Sequence, residues 1–346
     1  MNKYIWLIII VILVIIISIL YYLDNINVQG QIIPIIDNIY LSQIAINNIS
    51  ILDRCFNPAI FKYKGEIYYV YRIDIGGDAR YPGKILSQFL PKYHSNIVIY
   101  NSKKNQVSQI NTQNFQKIKG FIDPRVIKSH NILYLTVSEI NNIVGKHRMY
   151  LIILDLTKLD TTIQPEKILL LDYNFRENID QKNWMPLLFN NQLYLIYSLS
   201  PLIILLCDTH NGKCLPITNR VYKNLSPDLR GSSNVIKIKN LFLGIVHTRY
   251  GYIYTHKFFV LKHLLNFEIY AISDDFIIQK NNLVFIDKFT KENFKINGQY
   301  KRKIQFISGI LEIDNILYIT YGENDYSVKQ FGIETHKILN LLKYNY

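Results

Sequence analysis

The stretch NPAIFKYKGEIYYVYR, residues 57–72, decides the fold. It holds a short apolar run, a tight polar turn around Gly65, and a second apolar run rich in Tyr, Ile and Val. Its apolar positions recur with a period nearer two than 3.6, and β-branched and aromatic residues dominate, so it reads as a β-hairpin. The same pattern returns as DPRVIKSHNILYLTVS (123–138), MPLLFNNQLYLIYS (185–198), SNVIKIKNLFLGIVH (233–247) and SGILEIDNILYITYG (308–322). The copies begin 48 to 75 residues apart, with polar, strand-like sequence between them. Spacing of this order, each unit a hairpin followed by further strands, points to radial blades. Helical solenoids are excluded because the apolar runs are too short and have the wrong period. Roughly 60 residues per unit suffice for four strands and their loops. The expected fold is therefore all-β, a five-bladed β-propeller, with a β-sandwich as the alternative. A short helix near His336 to Tyr344 is expected to close the chain.

Composition agrees. Hydrophobic residues make up 49% and charged residues 19% of 346, which excludes a disordered chain. Three Cys in a chain of this length exclude a small disulfide scaffold. The 27 Tyr and 17 Phe, against 15 Gly and 10 Pro, favour strands. The net charge of +13 is dispersed: the longest basic run is Lys301-Arg302-Lys303, so no nucleic-acid stripe stands out and no nucleic-acid partner is expected.

The N-terminus sets the compartment. Tyr4 to Leu23, YIWLIIIVILVIIISILYYL, contains no charge and is long enough to cross a hydrocarbon core. Trp6, Tyr21 and Tyr22 lie near its ends, where aromatic rings favour the interface. No small-residue cleavage site follows, so the segment reads as an uncleaved anchor. Lys3 precedes it, and no Lys or Arg occurs between Lys3 and Arg54. The positive-inside rule then gives a single-pass type II membrane protein whose propeller is luminal or extracellular. The expected organisation is a cytosolic N-terminus (1–3), a transmembrane anchor in contact with membrane lipid (4–23), a stem and lead-in strand (24–50) and the propeller (51–346).

In a propeller hairpin the start of the first strand and the end of the second emerge on the same face. Asn57, Asp123, Lys182, Asn183, Arg230 and Ser308 fall at or near the starts; Arg72, Glu139, Ser198, His247 and Asp325 fall at or just past the ends. Polar and charged groups thus converge on one mouth of the axis. Asp123, in FIDPRVI, is a candidate general acid, although an Asp-Pro pair can simply fix a turn. Arg125 and Lys182 oppose the effect of its burial. Lys182-Asn183 and Arg230-Gly231-Ser232-Ser233 can hold a phosphate or sugar phosphate through charge-assisted hydrogen bonds. His247 can donate to an anion or hydroxyl, or be an ordinary packed histidine. Trp184 can stack on a sugar ring or be a buried blade residue.

The segments NPAIF and YVYR (57–61, 69–72), IDPRV (122–126), KN (182–183), LGIVH (243–247), and SGI with YGEND (308–310, 321–325) carry a resemblance. Together they resemble the β-mannoside phosphorylases of glycoside hydrolase family 130 and the related mannosyltransferases, over about residues 50 to 345. The resemblance implies a five-bladed propeller in which one Asp of a D-P-R motif is the acid, in inverting transfer of mannose to or from phosphate. It puts the acid on Asp123, and phosphate or substrate binding on Arg72, Lys182, Asn183 and His247. Asn57, Arg125, Arg230 and Asp325 complete the candidate set. Related five-bladed glycosidases take one carboxylate from each of the first three blades; here the first repeat begins with Asn57 and the third with Met185. Ordinary hydrolysis needs two carboxylates, so transfer or phosphorolysis fits better. Thr248 follows His247 where some members carry Tyr, and the membrane anchor also departs from the family.

Cys207 and Cys214 flank DTHNGK, whose Asn-Gly marks a hairpin turn, so a disulfide across it is expected. His210 between them is too few ligands for a metal site. No cofactor or metal is expected; inorganic phosphate or a sugar phosphate is the expected co-substrate. The functional expectation is a membrane-anchored glycan-active enzyme, the alternative a non-catalytic propeller that binds glycan or protein.

Overall fold

The structure, a computed structural model, describes residues 27–29, 31–34, 54–75, 94–104, 106–111, 120–141, 146–159, 162–173, 181–250, 253–263, 267–279, 282–286, 295–296, 299–300, 304–324 and 327–343. The expected anchor at Tyr4 to Leu23 and the candidate Asp325 lie outside the described residues. Among the described residues, no helix is long and apolar enough to cross a membrane.

Each repeat is an antiparallel hairpin at the start of its own sheet. The first pairs Arg54–Tyr63 with Glu66–Ile75, then His94–Asn101 and Gln106–Ile110. The second runs Phe121–Ser129, Ile132–Asn141, Lys146–Asp155 and Lys167–Leu170, and the third Met185–Phe189, Gln192–Leu199, Leu202–Cys207 and Cys214–Arg220. The fifth repeat supplies Gln305–Ile313, Ile316–Glu323 and Ser327–Glu334. Its outer position is taken by Gln31–Pro34 from the N-terminal part of the chain, which pairs antiparallel with Ser327–Glu334. A short helix, Thr335–Leu339, follows.

Period-two alternation turns these sheets into a ring. In Glu66–Ile75, Tyr68 and Val70 pack toward Leu133, Leu135 and Val137 of the second sheet. Tyr69, Tyr71 and Ile73 face the other way, toward Val328 of the fifth. Apolar layers of the same kind join the second sheet to the third, the third to the fourth, and the fourth to the fifth. The inner strands of these blades are buried on both faces, which explains why they read as near-continuous apolar runs. Each fully buried Leu, Ile or Phe in these layers contributes about 2 to 3 kcal/mol of transfer free energy.

The propeller expectation is met, but its blades are not five alike. Four sheets are compact blades of four or five strands. The fourth repeat lies instead in an eight-stranded sheet. Its inner position is broken into Arg230–Gly231 and Ile236–Ile238, both paired with Leu241–Tyr250. Its outer position is broken into Phe267–Ile272 and Asp275–Gln279, and Asn282–Ile286 and Asn27–Gln29 then widen the edge. The segment expected as a stem and lead-in strand (24–50) contributes strands to two sheets.

Candidate active site

The mouth of the ring is shaped by a backbone irregularity that recurs with the repeats. Asn57, Asp123 and Asn183 all have left-handed backbones, with φ of 55°, 55° and 66°. Asn and Asp tolerate this region better than other residues with a Cβ. In the first and second sheets the register shifts there, between Phe56 and Ala59 and between Ile122 and Arg125. A bulge re-aims the side chain out of the pleat, and the Pro that follows has no N–H to leave unpaired. The fifth sheet has the same shift between Ile307 and Gly309.

These bulges bring side chains from separate repeats together. Asn57 Nδ2 donates to Asp123 Oδ1 at 2.6 Å, and Arg72 Nη1 lies 3.9 Å from the same oxygen. The Asp123 side chain is 18% exposed, while Asn57 and Arg72 are nearly enclosed. Below it, Arg125 is fully buried. Its Nε donates to the Ser232 carbonyl, Nη1 to the Asp123 carbonyl at 3.2 Å, and Nη2 to Asn183 Oδ1 at 3.0 Å. Its guanidinium carbon lies 5.5 Å from the Phe306 ring centre. Burial lowers the Arg125 pKa to about 10, with Asp123 opposing, so the group remains a cation at neutral pH. It is an interior cross-link among repeats and not an exposed ligand.

Lys182, Asn183 and Arg230 line an open cavity of about 350 Å³ between the third and fourth repeats. Trp184 and Tyr197 form its aromatic side, and Pro227, Leu229 and Gly231 complete its described lining. Trp184 is almost wholly buried, packed edge-on against Tyr197 with ring centres 5.4 Å apart. The bulk of the Trp184 ring belongs to the sheet packing. Gly231 is required at the fourth-repeat side: a Cβ there would lie 2.0 Å from the Asn183 carbonyl oxygen. Among the described residues, no carboxylate lines the cavity.

His247 is enclosed, stacked on Tyr254 at 5.4 Å and edge-on to Phe306 at 5.2 Å. Burial, then His256, Arg125, Arg230 and Lys182, push its pKa well below the ordinary value, so it is neutral. Asp123, Arg72 and Asn57 form one group and Lys182, Asn183 and Arg230 another. Arg125 bridges the two, and His247 lies against its Phe306 side. Glu139 is also nearly enclosed at this end, and burial raises its pKa against the effects of Tyr150 and Arg148.

Sequence reasoning missed Tyr197, Tyr254, Phe306 and His256, which read as ordinary strand residues. The Asn57 to Asp123 contact had a signal, since each precedes Pro at the same point of its repeat. Cys207 and Cys214 are directly opposite across their hairpin and bonded, with Cα atoms 4.1 Å apart. Cys55 is a buried free thiol. Among the described residues, no group of three or more His, Cys, Asp or Glu is arranged to hold a metal ion.

No protein-family profile matches the chain, and no curated protein matches it in sequence. Solved structures do match. A β-1,2-mannobiose phosphorylase from Listeria innocua superposes with a TM-score of 0.56 at 14% identity, over 86% of this chain and 94% of that one. A glycosyl hydrolase from Bacteroides ovatus matches with a TM-score of 0.51 at 14% identity, over 81% and 84% of the two chains. A third, described with the family 130 mannoside phosphorylases and hydrolases that target β-1,2-mannosidic linkages in Candida mannan, has a TM-score of 0.51 at 13% identity, over 81% and 84%. At such identities the likeness is one of fold: this chain has the β-propeller fold seen in glycoside hydrolase family 130 phosphorylases and their hydrolase relatives.

Proposed function

We propose that this protein is a membrane-anchored, glycan-active enzyme that transfers a sugar, β-mannosyl in the simplest case, to or from phosphate or an acceptor glycan. In this reading Tyr4 to Leu23 is the anchor, the propeller is luminal or extracellular, and the eight-stranded sheet serves as the fifth blade. The observation that carries it is the separation of the Asp123 carboxyl from a cavity lined by two cations, Lys182 and Arg230. Asp123 sits with an amide and a guanidinium, whereas Lys182 and Arg230 line the cavity. An anionic nucleophile needs cations to hold it and no base to deprotonate it. The fold shared with a β-1,2-mannobiose phosphorylase supports the same chemistry.

The step balances simply. Asp123 gives a proton to the glycosidic oxygen, directly or through a sugar hydroxyl, as the bond from that oxygen to the anomeric carbon breaks. A phosphate oxygen held by Lys182 and Arg230 forms the new bond from the opposite face, which inverts the centre. Asn57 donates to one Asp123 oxygen and orients the carboxyl. His247, neutral, packs behind the site against Tyr254 and Phe306 and brings no charge, and Asp325 is an additional substrate ligand. Arg125 holds the acid and the cavity in register.

The test is a screen of the full chain in detergent micelles with phosphate and β-mannosides, and with sugar 1-phosphates and glycan acceptors. Asp123→Asn should lower turnover about 10²- to 10⁴-fold without unfolding the protein. Full activity in that variant would place the acid elsewhere. Glycan binding without turnover in the wild type would favour a binding module.

A further inference from the structure

The inner hairpin turns gather a second charged surface, at the end of the ring opposite the Asp123 mouth. The position two residues before each turn tip is Lys62, Lys128, Leu188, Lys237 and Glu312 in the five repeats. The first turn residues are Lys64, His130, Asn190, Lys239 and Asp314, all left-handed, with φ between 46° and 54°. The third and fifth repeats fill this place with Asn and Asp, which the conformation favours. The first, second and fourth hold Lys, His and Lys against that preference. Strain kept at a repeated place points to function, and what these three residues share is a basic side chain. Lys62, Lys64, Lys237 and Lys239 are exposed, and Lys128 is half-buried. Glu312 and Asp314 are the acids of the same ring of positions, so positive charge prevails there.

Chain length says what lies against this surface. In the reading proposed above, Tyr4 to Leu23 is a membrane anchor, and Asn27–Gln29 already pairs with the edge of the fourth sheet. Three residues, Asp24 to Ile26, separate the two, so Asn27 lies within about 14 Å of Leu23 even when the chain is fully extended. The ring is thus held against the headgroup layer. The mouth must stay open to its glycan, which leaves the turn end for the bilayer. We propose that the turn end of the propeller is a docking surface for anionic phospholipid headgroups, contacted by the basic pairs of the first, second and fourth repeats. The inference rests on the anchor in that reading. It adds that the propeller itself binds lipid and thereby turns its catalytic mouth away from the bilayer.

The experiment places the full chain in nanodiscs of phosphatidylcholine, with and without phosphatidylglycerol, and follows lysine acylation by mass spectrometry. Lys62, Lys64, Lys237 and Lys239 should react about 5-fold more slowly in the anionic discs, the scale of one basic side chain near an anionic surface. High salt should remove the difference. Lys223, exposed in the loop that leads to Arg230, should react equally in both and serves as the reference. Equal rates for the four lysines in the two discs overturn the inference. Equal protection by inorganic phosphate in phosphatidylcholine discs also overturns it, because the surface would then be a site for free phosphate. Lys64→Asn combined with Lys239→Asn removes two charges and places at both turns the residue that the third repeat has in Asn190. Its Tm should equal or exceed that of the wild type, while Lys62 and Lys237 lose their protection. A lower Tm refutes the argument from strain, and unchanged protection refutes the docking surface. If the chain fails to co-elute with phosphatidylcholine discs, the anchor falls; salt-sensitive protection in anionic discs would then leave the docking surface standing alone. Co-elution with neither disc sinks both.

Discussion

Acid should destabilise this fold through two buried histidines. His256 is fully buried against Phe276, with ring centres 5.7 Å apart, directly across the strand pair from His247. Burial lowers its pKa from 6.5 to about 3, against a backbone contact from Gln305 that acts the other way. His247 is shifted in the same sense. A histidine with a depressed native pKa stays neutral in the fold but takes up a proton when unfolded. Its contribution is therefore complete above pH 6.5 and is lost as pH falls toward the native value. At pH 5 the unfolded imidazole is almost fully protonated, 1.5 pH units below its pKa. At 1.36 kcal/mol per unit, His256 alone costs about 2 kcal/mol relative to pH 7.5, and His247 acts in the same direction. Urea unfolding at both pH values, followed by the fluorescence of buried Trp184, measures the loss. His256→Gln removes one titrating ring, so its loss between pH 7.5 and 5 should be about 2 kcal/mol smaller than in the wild type. An identical pH dependence in the two proteins would refute the argument.

Other expectations follow from packing and connectivity. Gly231→Ala forces a Cβ to 2.0 Å from the Asn183 carbonyl oxygen and 2.6 Å from Met185 Cγ, so it should cost about 1 to 3 kcal/mol in urea unfolding. Reducing Cys207–Cys214 releases a short loop and should lower stability by about 2 to 3 kcal/mol in the chain-entropy estimate, read as a lower urea midpoint in reductant. Deleting residues through Leu23 should leave the propeller intact. Deletion through Pro34 removes the strand that covers Ser327–Glu334 and should lower Tm by about 4 °C or more in differential scanning fluorimetry.

The repeats were legible because their turns carry local chemistry. Lys64-Gly65, Asn190-Asn191 and Asp314-Asn315 take the left-handed backbone that tight hairpins require, and Gly, Asn and Asp advertise it. The apolar runs beside them then place each hairpin. Non-local pairing was not legible. Nothing in Gln31–Pro34 names Ser327–Glu334 as its partner, and the breaks in the inner and outer strands of the fourth repeat depend on tertiary packing. The site divides in the same way. Asp123 was visible as an Asp-Pro at a repeat start, and Lys182 and Arg230 as cations at equivalent places. Arg125 entered the candidate set as a cation beside Asp123; only the ring brings the Ser232 and Asp123 carbonyls and Asn183 Oδ1 to it and makes burial tolerable. His247 read either as a donor to an anion or hydroxyl or as an ordinary packed histidine, a choice that only its enclosure and the cations around it, which hold it neutral, bear on.

The most direct test of the central claim is phosphate-dependent release of mannose 1-phosphate from β-mannosides, measured with the full chain and with Asp123→Asn. The account predicts release that requires phosphate in the wild type and falls about 10²- to 10⁴-fold in the variant. Release that is independent of phosphate, or equal in the two proteins, contradicts it.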